Sequence, residues 1–490
     1  MKFTNIFTFF RDVNADTNWS QSRAIQELAT TLTEFVFNIN LDNSLPHPQQ
    51  TSPAAPDDRQ CFIPDNSQVK PHLLLPGLKS SDSVGKGDHI DGMYEVLLLQ
   101  EKVVLQVVDR LKLCSHRSHY TPQKPKRDTL RVLEHLKLAF IKLYHLSLYR
   151  EMRVIAGSLN KSNKHTTLTE CLNILISLGK EQSDDVVFSV ISQLEIVNIL
   201  VNLCAANKTK ELKLLVLRGL SSLCCTESSI RQLEAAEGIQ TICHLLTSST
   251  TLEVKVEAAG VLAQITSPWI TENHRVNGLT EFIPDIVLQL STLASLQCGE
   301  DSFLLVTAAL ANITFMEPTS LDIILEHNIW RLLTSRLEDG NSQEEVSVFV
   351  RDQVVTILAN LAARESGRAN LIRCQGITFL VGQLCTPLYC VDTAQELNAV
   401  ERIIKKSAIA LCRLCTGEAE CKTLEAAGGI KRSVQLCEDG AARNYNDSIL
   451  VSCLALLRRA ANFVKIDQTF VHHNLVDSFR ELTAAQESYV

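Results

Sequence analysis

The stretch Arg351-Asp-Gln-Val-Val-Thr-Ile-Leu-Ala-Asn-Leu-Ala362 decides the fold, because its apolar pair Leu358-x-x-Leu361 recurs down the C-terminal two-thirds of the chain. The pair reappears as Leu175/Leu178, Leu220/Leu223, Leu262/Ile265, Leu310/Ile313, Leu411/Leu414 and, closed by alanine, Leu457/Ala460. In four units the second member is followed sixteen residues later by another apolar residue, just after Gly or Asn: Gly238-Ile239, Asn328-Ile329, Gly376-Ile377 and Gly429-Ile430. Gly and Asn tolerate the left-handed backbone that ends a helix, so the spacing predicts helix, turn, helix, with the Gly or Asn taking the left-handed place. Beyond each turn the apolar positions continue with helical period, as in Ile239, Ile242, Cys243 and Leu246. From one pair to the next the period is 42 to 53 residues, which overlaps the armadillo and HEAT range. A helix with one apolar stripe cannot bury it alone, so such units must stack, and the fold class is all-α: an armadillo-like α-solenoid superhelix with an extended inner groove.

The predicted organisation follows from composition. Residues 1–44 hold one amphipathic helix pattern around Trp19, Ile25, Leu28 and Leu32. Residues 45–91 are rich in Pro, Ser, Asp and Gly and are expected to be a disordered linker. Residues 92–164 are expected to form a helical capping region, 165–482 about seven repeats, and 483–490 a free tail.

At 490 residues with 45% apolar and 21% charged side chains the composition is that of an ordinary soluble protein, and the net charge of −8 argues against nucleic acid as the main partner. The first ten residues make a poor signal peptide, and no uninterrupted apolar run of spanning length occurs, so no membrane insertion is expected. Sixteen cysteines in such a chain read as reduced thiols, and Cys412-x-x-Cys415 lies inside a helix pattern with no second ligand pair, so it reads as structural. No phosphate-cradling loop, zinc-protease motif or nucleophile elbow is present; no enzyme and no cofactor are expected.

Two binding features stand out. A polar residue lies just inside each apolar pair: Ser222, Gln264, Asn312, Asn360, Arg413 and Arg459. Stacking would align them as a ladder. On a concave face the amides of Asn312 and Asn360 would bond the N–H and C=O of an extended peptide; on the other reading these residues solvate a helix end or cap a neighbouring turn. The chain also ends in Ser488-Tyr489-Val490, the pattern by which a PDZ domain adds a strand, contacts the hydroxyl and seats the terminal aliphatic.

Several longer words carry a resemblance. Glu257-Ala-Ala-Gly-Val-Leu-Ala-Gln-Ile-Thr-Ser-Pro268, Thr307-Ala-Ala-Leu-Ala-Asn-Ile-Thr-Phe315, Arg351 to Asn360, Leu475-Val-Asp-Ser-Phe479 and the terminal Glu487-Ser-Tyr-Val490 resemble the Inscuteable family, adaptors for spindle orientation and asymmetric cell division. The resemblance covers about residues 165–490. It implies a cytoplasmic protein at the apical cell cortex whose armadillo part engages a Bazooka-type, PDZ-containing polarity scaffold, with Asn312, Asn360 and Val490 matching the family's pattern. It also implies a link to a Pins-type TPR adaptor through an N-terminal Trp-bearing helix followed by acidic residues, for which Trp19, Glu27 and Glu34 are the only counterpart here. Two other classes compete with this reading. An importin-like cargo carrier also uses an asparagine ladder, but Ala308 and Thr356 stand where such carriers place Trp; an armadillo regulator of a small GTPase would need no groove peptide.

Overall fold

The computed structural model describes residues 96, 98–110, 125–180, 185–206, 209–268, 276–296, 299–338, 346–388 and 392–465. Among them every regular element is helical. The chain divides into two compact units, one of residues 1–167 with 183–194 and one of 168–182 with 195–490.

In the first unit the described helices are α1 (98–110), α2 (Pro125–Lys161) and α4 (Asp185–Gln193). Its core is Val104, Val108, Leu136, Phe140, Leu143 and Met152. Gln100 of α1 donates to the Ala139 carbonyl of α2 at 2.9 Å, and Gln193 of α4 reaches His145 of α2 at 3.2 Å.

The second unit contains α3 (His165–Gly179, from Leu168 on) and α5 (Ile196–Ala205), α6 (Lys210–Leu223), α7 (Glu227–Ala235), α8 (Gly238–Ser248) and α9 (Leu252–Ile265). It continues with α10 (Ile283–Ser295), α11 (Glu300–Met316), α12 (Thr319–Glu326), α13 (Ile329–Glu338), α14 (Val348–Ala362), α15 (Glu365–Arg373), α16 (Gly376–Leu384), α17 (Ala394–Leu414), α18 (Glu418–Ala426), α19 (Gly429–Glu438) and α20 (Asp447–Ala460). A complete repeat is a short first helix, a second and a longer third, as in α7–α8–α9. Short polar residues start the third helices by accepting a backbone N–H: Thr209 before α6, Ser347 before α14, Asn446 before α20, and Thr393 before α17 in a reciprocal box with Glu396. Every recurring apolar pair lies on a third helix and is buried, with Leu178 the most exposed member at 8%.

The turns correct one expectation. The left-handed residue between first and second helices is Glu237, Asn328, Gln375 or Gly428, with φ between 51° and 84°. In three units this is the residue before the glycine at the helix start. Gly238, Gly376 and Gly429 are instead close-approach positions. A Cβ on Gly376 would lie 2.9 Å from the Leu371 carbonyl oxygen, and one on Gly429 2.4 Å from a Leu424 methyl. Asn328 therefore aligns with Glu237, not with Gly238, and the unit at Ile329 stands one residue out of the register that sequence spacing suggests.

The third helices α6, α9, α11, α14, α17 and α20 pack on one another in series along most of their lengths, whereas the second helices touch their counterparts at only a few points. A stack whose elements lie closer on one side curves towards that side, so the third helices line the inner face of this unit. Among the described residues no single helix is long and apolar enough to cross a membrane.

Candidate functional site

On each third helix the residues four, seven and eleven places before the ladder position share its face. These faces make up the inner row, and the six ladder residues all lie on it.

Four of the six reach across to the preceding helix. Asn312 Nδ2 donates to the Ala263 carbonyl at 2.8 Å, and Asn360 Nδ2 donates to Thr314 Oγ1 at 2.9 Å and, more weakly, to the Ala311 carbonyl at 3.4 Å. Arg413 donates from a terminal guanidinium nitrogen to the Ala359 carbonyl at 2.8 Å, and Arg459 to the Cys412 carbonyl at 2.8 Å. The rule is the same each time: the carbonyl accepted belongs to the residue just before the previous ladder position. Ala263, Ala359 and Cys412 lie in the last turn of their helices, where carbonyls lack an intrahelical donor. The Ala263 and Ala311 oxygens are carbonyls, and Thr314 Oγ1 already donates to Ala311 at 2.7 Å, so the amide nitrogens of Asn312 and Asn360 must face these acceptors, which orients the whole side chain. The neighbour-capping role is therefore realised, and the asparagines do not present a whole amide to a ligand. What remains is Oδ1 of each, which has no hydrogen bond among the described residues, and one N–H of Asn312. Arg413 and Arg459 commit one nitrogen and leave the rest of an exposed fork.

Ser222 and Gln264 differ. Ser222 Oγ donates to the Arg218 carbonyl of its own helix at 2.9 Å, and its Cβ lies where Gly179 has no room for one. Gln264 makes no side-chain hydrogen bond among the described residues. At this end α6 and α9 are joined by ion pairs to the inner-row carboxylates of α9, Lys210 with Glu253 at 2.9 Å and Arg218 with Glu257 at 2.6 Å.

Between α14 and α17 lies a cluster that the ladder did not signal. Asp352, 1% exposed, accepts from Arg402 Nε at 2.7 Å and from Lys406 Nζ at 2.9 Å, and Lys406 also meets Thr356 Oγ1 at 2.5 Å. Burial pushes the Lys406 ammonium below its ordinary value, and Asp352 pulls it back up. The sequence does hold a signal: Arg402 and Lys406 are four apart and one repeat beyond Asp352, so both face it once the helices stack. Phe315, 64% exposed one turn beyond Asn312, and the half-buried Ile409 add apolar surface to the row.

Among the described residues no group of histidines, cysteines and carboxylates is arranged to hold a metal. Cys415 is buried, and burial raises its thiol to about 12; Cys412 is raised less, since Arg459 and Arg413 favour its thiolate. Trp19, Glu27 and Glu34 lie outside the described residues, as do Ser488, Tyr489 and Val490.

Solved structures that overlap this chain include a designed armadillo repeat protein, 21% identical, covering 54% of this chain and 99% of that chain at a TM-score of 0.41. An engineered protein overlaps at 18% identity over 77% of this chain and 92% of that chain, TM-score 0.45. The human and mouse proteins named protein inscuteable homolog are each 30% identical over 406 residues, 81% of this chain and 69% of theirs. The family model for the protein inscuteable C-terminal region matches residues 88–490, and with it the chain belongs to the inscuteable family.

Proposed function

We propose that this chain is an adaptor of asymmetric cell division that joins a cortical polarity scaffold to the spindle-orientation machinery. Family membership supports the adaptor or scaffold role. The observation that carries the proposal is the inner row itself. Its four stapled side chains are held in one register by the preceding helix, and a fixed array of acceptors and charges is what an extended peptide needs from a groove.

In this reading three parts bind separately. The inner row takes an extended segment of one partner. Ser488-Tyr489-Val490 adds to a PDZ domain of a Bazooka-type scaffold at the apical cortex. The segment bearing Trp19, Glu27 and Glu34 enters a Pins-type TPR adaptor. Simultaneous engagement raises the effective concentration of each partner for the others.

The test is a pull-down of the full chain against a Pins-type TPR domain and a Bazooka-type PDZ array, each with and without residues 1–45. Loss of the TPR domain alone on truncation is the expected result. A TPR domain that fails to bind the full chain would detach the protein from spindle orientation. Val490→Asp should abolish PDZ binding and leave the melting temperature unchanged; undiminished binding would remove the tail from the mechanism.

A further inference from the structure

The inner row changes sign along its length. On the faces defined above, α6 carries Glu211 and Arg218, α9 carries Glu253 and Glu257, and α11 carries Asp301. The corresponding places hold only Phe349, Gln353 and Thr356 on α14, then Arg402, Lys406 and Arg413 on α17, and Arg459 on α20.

The two ends also differ in how far these charges are already satisfied. Glu253 and Glu257 are each paired with a cation of α6. At the other end one carboxylate among the described residues, Asp352, meets two of the four cations; it is buried between Arg402 and Lys406 and balances only one of them. Arg413 and Arg459 have a neutral carbonyl as partner and no carboxylate among the described residues. A guanidinium with one nitrogen pinned keeps its charge and its remaining donors, in fixed orientation, for a planar acceptor.

We propose that the α14–α20 part of the inner face binds an acidic, extended segment of a partner protein, with carboxylates seated on Arg413 and Arg459. This rests on the groove reading above and adds the ligand's charge and register to it. Packed helices lie about 8–10 Å apart and an extended chain advances about 3.3 Å per residue, so successive rungs meet acidic residues spaced about three apart. The same charges disfavour a basic cargo at this end, the class an importin-like carrier would take.

The experiment is fluorescence anisotropy of the full chain with three labelled twelve-residue peptides. All have Gly-Ser flanks, and the six central residues are all Glu, all Gln or all Lys. The Glu peptide should bind about tenfold or more tighter than the Gln peptide, with the margin shrinking as NaCl rises from about 0.05 to 0.5 M. Arg413→Gln with Arg459→Gln keeps an amide donor for the preceding carbonyl but removes both charges. It should erase that margin with the melting temperature held, while Arg413→Lys with Arg459→Lys should keep most of it. Equal binding of Glu and Gln peptides would overturn the charge assignment and leave the groove reading standing. Binding of none of the three would overturn both. Co-sedimentation with phosphatidylserine vesicles that depends on Arg413 and Arg459, in a chain that ignores the Glu peptide, would assign the patch to a membrane surface and overturn the proposal.

Discussion

The inner row is built differently at its two ends. At α6 and α9 the ladder residues send nothing back to the preceding helix, and ion pairs between exposed or half-exposed side chains, Lys210 with Glu253 and Arg218 with Glu257, do the joining. From α11 to α20 each ladder residue donates to the helix before it, and a buried carboxylate adds a further tie between α14 and α17. Side-chain length explains part of this: a serine is too short to cross between helices, whereas asparagine and arginine reach. The lesson concerns coupling. Exposed ion pairs contribute about 0–1 kcal/mol and weaken in salt, while a hydrogen bond to a carbonyl contributes about 1 kcal/mol and is little screened. In a stack whose stability is a sum of units and nearest-neighbour interfaces, the C-terminal repeats should unfold more nearly as one.

One perturbation should remove the contrast, and it has the largest expected effect. Burial raises the thiols of Cys204 and Cys243 towards one end, and of Cys415, Cys437 and Cys453 towards the other, from the ordinary 9.0 to about 12; Cys224 is raised further still. These folded-state values lie above the unfolded one. Their contribution is therefore whole below about pH 9 and is lost as pH climbs towards 12, because only the unfolded chain releases the protons. Each thiol costs up to about 1.4 kcal/mol per pH unit in that window, so denaturant midpoints should fall steeply between pH 9 and 11 at both ends alike. A flat profile would show the thiols to be solvated.

Next in size is Asp352→Ala, which leaves Lys406 and Arg402 close together without their anion. Breaking such a pair costs about 3–5 kcal/mol when both partners are buried, and with half-exposed cations about 2–3 is expected. The loss should appear as a split melting curve, since the interface between α14 and α17 is the one removed. A single transition shifted by under about 0.5 kcal/mol would mean that the cluster does not couple the repeats.

How much of this could be read from the sequence depends on the distance over which each feature acts. The buried pairs such as Leu358/Leu361 were legible because helical periodicity is local and the repeat shows it seven times. The ladder positions were legible for the same reason. Their partners were not: Asn312 meets Ala263 and Arg413 meets Ala359, 49 and 54 residues away, and only the stack brings them together. The turn register failed for a different reason. Glycine serves both for a positive φ and for close approach, and spacing alone does not tell the two apart. Gly376 is there for the Leu371 backbone, and Gln375 takes the left-handed place. Asp352 sits in the most diagnostic stretch of all, yet its meaning lies in an Arg and a Lys one repeat on.

The smallest effects test the comparison most directly. Asn312→Ala with Asn360→Ala removes the crossing hydrogen bonds of both side chains at the well-joined end and should cost about 2 kcal/mol in total, at about 1 for each side chain. Gln264→Ala alters the same ladder position where nothing crosses, and should fall within about 0.5 kcal/mol of the parent. Chemical denaturation followed by circular dichroism decides between them. If Gln264→Ala costs as much as one asparagine, the row is uniform and the contrast between its ends fails. If neither costs anything, the asparagines are not staples, and any loss of peptide affinity in the double variant then comes from the ligand side alone. The geometry predicts that stability and affinity fall together for the asparagines, because the hydrogen bond that ties the repeats is also the one that aims Oδ1.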